Sequence, residues 1–191
     1  MIVYLHGFNS TPGSHKAQTL HTYMKARGVD HLYACPTLPH RPADAVRAIE
    51  EVLVRHSAKE TTLVGSSLGG FYATHFAEKH SCRAVLIQPA VSPHVGLEAL
   101  LGPQRNLHSG ESYELTRAHL EGWRALAVDQ IDPERYLLLL ETGDEVLDWR
   151  QAALKYSGAR TVIRDGGDHT LRSFPEHIPR ILHFAGIAVG K

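Results

Sequence analysis

Short apolar runs alternate with amphipathic stretches along most of the chain. The runs are Ile2 to Leu5, His31 to Cys35, Thr61 to Val64, Ala84 to Gln88, Tyr136 to Glu141 and Arg160 to Arg164. They are rich in leucine and β-branched residues and lack strict alternation, which is what strands buried on both faces require. The alternation with helical segments predicts an α/β fold, a compact, mostly parallel six-stranded sheet with helices on both faces.

The helical stretches carry their own punctuation. From His15 to Arg27 the residues Ala17, Leu20 and Met24 recur at three- and four-residue steps, and Gly28 follows as a C-terminal cap. From Pro42 to His56 the inner face is Ala45, Ile49, Val52, Leu53 and His56, with Pro42 in the first turn. In the last helix Ser173 and Glu176 read as a Ser-x-x-Glu capping box ahead of Phe174, Ile178, Ile181, Leu182 and Ala185. Pro179 interrupts that pattern and predicts a kink or an end near Ile178.

Between Pro89 and about Pro133 the rhythm fails. Pro93, Gly96, Gly102-Pro103, Gly110 and Gly122 break the segment into short helical pieces. An insertion after the carboxyl end of a strand lies over the crevice where sheet enzymes bind ligands, so residues 89–133 are read as a cap within a single domain spanning 1–191. Leu97, Leu100, Leu101, Leu107, Leu115, Leu120, Trp123 and Leu126 either line an apolar pocket or anchor the cap to the body.

Composition narrows the function classes. Lys plus Arg equals Asp plus Glu at 20 each, so there is no positive surplus to attract nucleic acid or an anionic membrane. No apolar run approaches the length of a membrane span, and Met1 leads into Ile2-Val3-Tyr4-Leu5 without a signal-peptide pattern. Two cysteines, Cys35 and Cys82, show neither metal-ligand spacing nor scaffold density and are expected as free buried thiols in a cytoplasmic protein. Fourteen histidines invite a metal site, yet no two lie three or four apart, so neither metal nor other cofactor is expected.

The chemistry centres on Thr61-Thr62-Leu63-Val64-Gly65-Ser66-Ser67-Leu68-Gly69-Gly70, a strand-like run that ends in Gly-x-Ser-x-Gly and enters a helix. In such a nucleophile elbow the serine sits on a strained turn whose flanking positions must be almost free of side chains. The residues two before and two after Ser67 are Gly65 and Gly69, whereas around Ser66 they are Val64 and Leu68. Ser67 is therefore the candidate nucleophile. A serine hydroxyl needs a base, and the base needs an orienting acid. Asp144 follows the strand Tyr136 to Glu141 and is the candidate acid; of its competitors Glu141 is still in the strand, Asp148 is better explained as a helix cap with Gln151, and Glu145 stands one residue away. His169 follows the last strand behind Gly166-Gly167 and is the candidate base. Oxyanion donors are expected from the backbone N–H of Leu68 and, in the loop His6-Gly7-Phe8-Asn9-Ser10, of Phe8, with His6 and Asn9 holding that loop.

These motifs together, His6 to Ser10, Gly65 to Gly70, Thr142 to Asp148 and Gly166 to His169, resemble the YqiA-like esterases, small bacterial α/β-hydrolases. The resemblance implies a Ser-Asp-His triad on Ser67, Asp144 and His169 and hydrolysis of small or acyl-chain esters or thioesters. It does not carry acyl specificity, because Leu97 to Trp123 bears no recognisable substrate signature. Rival readings are an acyltransferase of the same fold and a hydrolase-fold binding module.

Overall fold

The computed structural model describes residues 1–106 and 108–188. Leu107 lies outside the described residues. Strand β1 (Ile2–Leu5) leads through α1 (His15–Lys25) to the short β2 (Tyr33–Ala34), and α2 (Pro42–Arg55) leads to β3 (Thr62–Ser66). Next come α3 (Leu68–His80) and β4 (Arg83–Ile87). The cap follows, with α4 (Pro93–Gly96), β5 (Gly102–Arg105), β6 (Ser112–Leu115) and α5 (Arg117–Ala125). The chain closes with β7 (Tyr136–Glu141), α6 (Trp149–Lys155), β8 (Arg160–Arg164) and α7 (Phe174–Phe184). The six-stranded sheet has the order β2-β1-β3-β4-β7-β8, and every pairing in it is parallel.

Alternate strand residues feed two separate cores. Val3, Leu5, Leu138 and Leu140 pack with α2, α3 and α6. Ile2, Tyr4, Leu137 and Leu139 pack with α1 and α7 on the opposite face. Every residue of β1, β3 and β7 is buried, so in those strands both faces of the pleat need apolar side chains and no alternation is visible. Only β8, at the sheet edge, is largely exposed.

Several expectations need correction. The strand sought over His31 to Cys35 is reduced to Tyr33–Ala34, because Asp30–Leu32 forms a 3-10 turn before it and Pro36 and Pro39, which lack an N–H, follow. The third strand runs on through Gly65 and Ser66, whose partners are Leu86 and Ile87. Helix α7 continues through Pro179 to Phe184. Pro179 sits midway along the helix and cannot donate the intrahelical bond of its position, but the burial of Ile178, Ile181 and Leu182 against the core holds the helix together across it. The capping box at Ser173 is not formed: its hydroxyl turns to Glu141 Oε1 at 2.5 Å and His177 Nε2 at 3.0 Å.

The cap, expected as helical pieces, contains an antiparallel hairpin in which Gly102–Arg105 pairs with Ser112–Leu115. Of its apolar residues, Leu97 and Leu100 line a cavity, while Leu115, Leu120 and Trp123 are buried and Leu101 and Leu126 pack against the same core. Leu97 does both, since it also packs against that core, so lining and anchoring overlap in one residue. Cys35 and Cys82 are free thiols, and burial raises both to about 11. Among the described residues no helix is long and apolar enough to cross a membrane.

Candidate active site

The parallel strands of the main sheet deliver their following loops to one edge. Between β3 and α3, Ser67 adopts φ 54° and ψ −121°, a backbone conformation that costs on the order of 1–3 kcal/mol and persists only when its surroundings enforce it. Here its N–H donates to Ile87 O at 3.0 Å, and its carbonyl accepts from Gly70 and Ala90 at 2.9 and 3.0 Å. The crowding explains the flanking glycines. A β-carbon on Gly65 would lie 2.3 Å from Gly69 O, and one on Gly69 would lie 2.0 Å from Leu5 O. Ser66, by contrast, ends the strand and is 7% exposed.

Beyond β7, the Asp144 carboxylate is fully shielded from solvent. Its Oδ1 accepts the N–H groups of Val146 and Leu147 at 2.9 and 2.8 Å, and its two oxygens lie 3.0 and 2.8 Å from His169 Nδ1. Burial alone would push this carboxyl up. The hydrogen bonds from His169, Leu147 and Val146 outweigh it and hold the group below the usual carboxylate range. An ionised Asp144 accepts the proton on Nδ1, which leaves Nε2 as the lone-pair nitrogen. Glu145, the competitor for this role, accepts the backbone N–H of His169 at 3.0 Å with Oε2. Asp148 caps α6 by accepting from Arg150 N–H at 3.1 Å.

Ser67 and His169 line one cavity of about 640 Å³, together with Phe8 and Leu68. No hydrogen bond joins Ser67 to His169 among the described residues. Catalytic hydrogen bonds commonly tighten only in the substrate complex. Leu68 is the first residue of α3, where an N–H has no intrahelical acceptor, and Phe8 lies in the loop after β1. Neither N–H has a protein acceptor among the described residues. His6 is buried with Nδ1 3.1 Å from Gly7 O and Nε2 accepting Leu38 N–H at 3.0 Å, and burial holds it below the ordinary histidine value. Both ring nitrogens are thereby engaged in holding the loop.

Three supports were not visible from local patterns. Glu141, 1% exposed, accepts the N–H groups of Asp168, Arg172 and Ser173 and the Ser173 hydroxyl, so it moors the loop that carries His169. Burial would raise its carboxyl, but these bonds together hold it below the usual range. Gln88 Nε2 donates to the carbonyls of Glu141 and Asp168 at 3.2 and 3.3 Å, and Lys16 Nζ donates to Thr170 O at 2.9 Å. The one local signal was Glu141 itself, a carboxylate closing a run of four leucines.

The model of an uncharacterised protein family, UPF0227, matches residues 1–186. A UPF0227 protein of Serratia proteamaculans is 25% identical over 187 residues, covering 96% of this chain and 98% of that one. Another from Pectobacterium atrosepticum is 25% identical over 192 residues with the same coverages. Among solved structures, mouse alpha/beta hydrolase domain-containing protein 10 superposes with a TM-score of 0.71 at 15% identity, over 97% of this chain and 89% of that one. Est1E from Butyrivibrio proteoclasticus gives 0.69 at 11% identity, over 96% and 87%. The chain has the α/β-hydrolase fold. With nearly its whole length matched, it belongs to the UPF0227, YqiA-like family.

Proposed function

We propose that the protein is a serine hydrolase that cleaves small or acyl-chain esters or thioesters. Ser67 Oγ attacks the acyl carbonyl carbon while His169 Nε2 takes the hydroxyl proton, and Asp144 holds the imidazole in the required tautomer. The N–H groups of Phe8 and Leu68 receive the charge that develops on the carbonyl oxygen. Collapse of the tetrahedral adduct breaks the bond to the leaving alcohol or thiol, which departs with the proton from His169. Water, activated by the same imidazole, then releases the acid and regenerates Ser67. The acyl group would occupy the cavity walled by Val91, Pro93, Leu97, Leu100, Val146 and Leu147.

The observation that supports this reading is the pairing of a solvent-shielded Asp144 carboxylate with Nδ1 of His169, which lines the same cavity as a positive-φ Ser67. Replacing Ser67 by Ala tests it. Turnover of a p-nitrophenyl ester is expected to fall by several orders of magnitude, up to about 10⁶, and covalent labelling by a fluorophosphonate should vanish while far-UV circular dichroism stays unchanged. Retained turnover in that variant would sink the assignment.

A further inference from the structure

The cap hairpin reaches the loop after β1 through two residues that face each other across its strands. Gln104 on β5 and Tyr113 on β6 are register partners, and both converge on Asn9. The Tyr113 hydroxyl donates to Asn9 Oδ1 at 2.8 Å, and Asn9 Nδ2 donates to Gln104 Oε1 at 3.4 Å. One residue further on, Asn106 in the hairpin turn donates to Ser10 O at 3.1 Å. Asn9 itself sits at φ 49°, in the left-handed region where asparagine is enriched, and directly follows Phe8.

Tyr113 is backed from behind. Its ring stacks on His40 at 4.1 Å and 17°. His40 Nδ1 lies 2.9 Å from His119 Nε2, and Nδ1 of the buried His119 accepts Thr116 N–H at 3.1 Å, at the start of α5. On the other flank the Phe8 ring meets Trp123 of α5 edge-on at 6.4 Å. The loop between these holds has little slack, since a β-carbon on Gly7 would lie 3.3 Å from Ser67 Cβ. A donor that must stand within about 2.7–3.1 Å of a developing oxyanion loses most of its effect when displaced by an ångström.

We propose that Tyr113 and Asn9 are positioning residues that set the Phe8 N–H on the oxyanion, so the cap tunes the transition state as well as walling the cavity. The inference rests on the reading of Ser67 as nucleophile and Phe8 as oxyanion donor. Tyr113→Phe removes the hydroxyl and keeps the stacked ring. With a short p-nitrophenyl ester, kcat falls about tenfold or more while KM stays within about twofold. Affinity for an aryl trifluoromethyl ketone, whose adduct with Ser67 carries an oxyanion, falls by the same factor as kcat/KM.

Asn9→Gly, which keeps the left-handed backbone accessible, repeats the split should Tyr113→Phe fold poorly. The double variant is no worse than the poorer single one, because both changes break the same bond. Wild-type kcat in both variants, a loss confined to KM, or additive losses in the double variant would each overturn the proposal. End-point fluorophosphonate labelling of the wild type keeps the two readings apart. An unlabelled Ser67 defeats the hydrolase reading, whereas a labelled enzyme indifferent to both substitutions defeats only this one.

Discussion

Exchanging Glu141 for Gln replaces one carboxylate oxygen with a donor group inside a site built only of donors. Oε2 accepts from Asp168 and Arg172 N–H at 3.0 and 3.2 Å, and Oε1 from Ser173 N–H and Oγ at 3.0 and 2.5 Å. The single amide oxygen serves one pair and leaves the other facing an NH2. The Ser173 hydroxyl has a second partner in His177 Nε2 at 3.0 Å, so the gentlest arrangement orphans one buried N–H and weakens the rest. At roughly 1.5–3 kcal/mol for a hydrogen bond to a charged group, the expected loss is about 2–4 kcal/mol.

Urea denaturation at pH 7 measures that loss, and turnover of an aryl ester should fall with it because the loop bearing His169 is unmoored. The pH dependence adds a second check. Glu141 has its folded pKa depressed, so its contribution is complete above the unfolded value of about 4.5 and is lost as pH falls through the folded one. The gap between wild type and Glu141→Gln should therefore narrow below pH 4.5. A difference under about 0.5 kcal/mol at pH 7, or a gap that does not change with pH, refutes the reasoning.

Two further outcomes separate fold from chemistry. Gly69→Ala drives a β-carbon to 2.0 Å from Leu5 O and should destabilise by several kcal/mol, whereas Gly7→Ala meets Ser67 Cβ at only 3.3 Å and should leave the melting temperature within a few degrees while lowering kcat; equal effects on stability would count against the packing argument. His6, His119 and His177 are buried, and burial holds each below the ordinary histidine value. The unfolded chain then binds more protons, so stability should decline as pH drops below about 6.5, by up to about 1.4 kcal/mol per unit for each; flat stability between pH 7.5 and 5.5 would contradict this.

The sheet was legible because β1, β3 and β7 are buried throughout, which makes uninterrupted leucine and β-branched composition the signal. The loops holding Ser67 and Asp144 could be named because each follows such a run, that of His169 because it follows the last strand behind Gly166-Gly167, and Gly65 and Gly69 singled out one serine of two. The hairpin was not legible. Gly102–Arg105 has no apolar alternation, and in Ser112–Leu115 only Tyr113 and Leu115 alternate with polar residues, too short a pattern to read as a strand. Ser173 misled because local capping competed with a tertiary partner, Glu141, that lies 32 residues away. Tyr113 and Asn9 are 104 residues apart, and their contact exists only once the hairpin folds over the β1 loop.

Strands β4 and β7 hydrogen-bond to each other although the entire cap separates them in sequence. The polypeptide leaves the sheet and rejoins it at adjoining positions, so this module can be lengthened, trimmed or swapped during divergence without re-threading the strands. Because the same module grips Asn9 and Ser10, a replacement resets the loop after β1 along with the wall of the cavity. Under the proposed mechanism, selectivity and turnover are then inherited as one package.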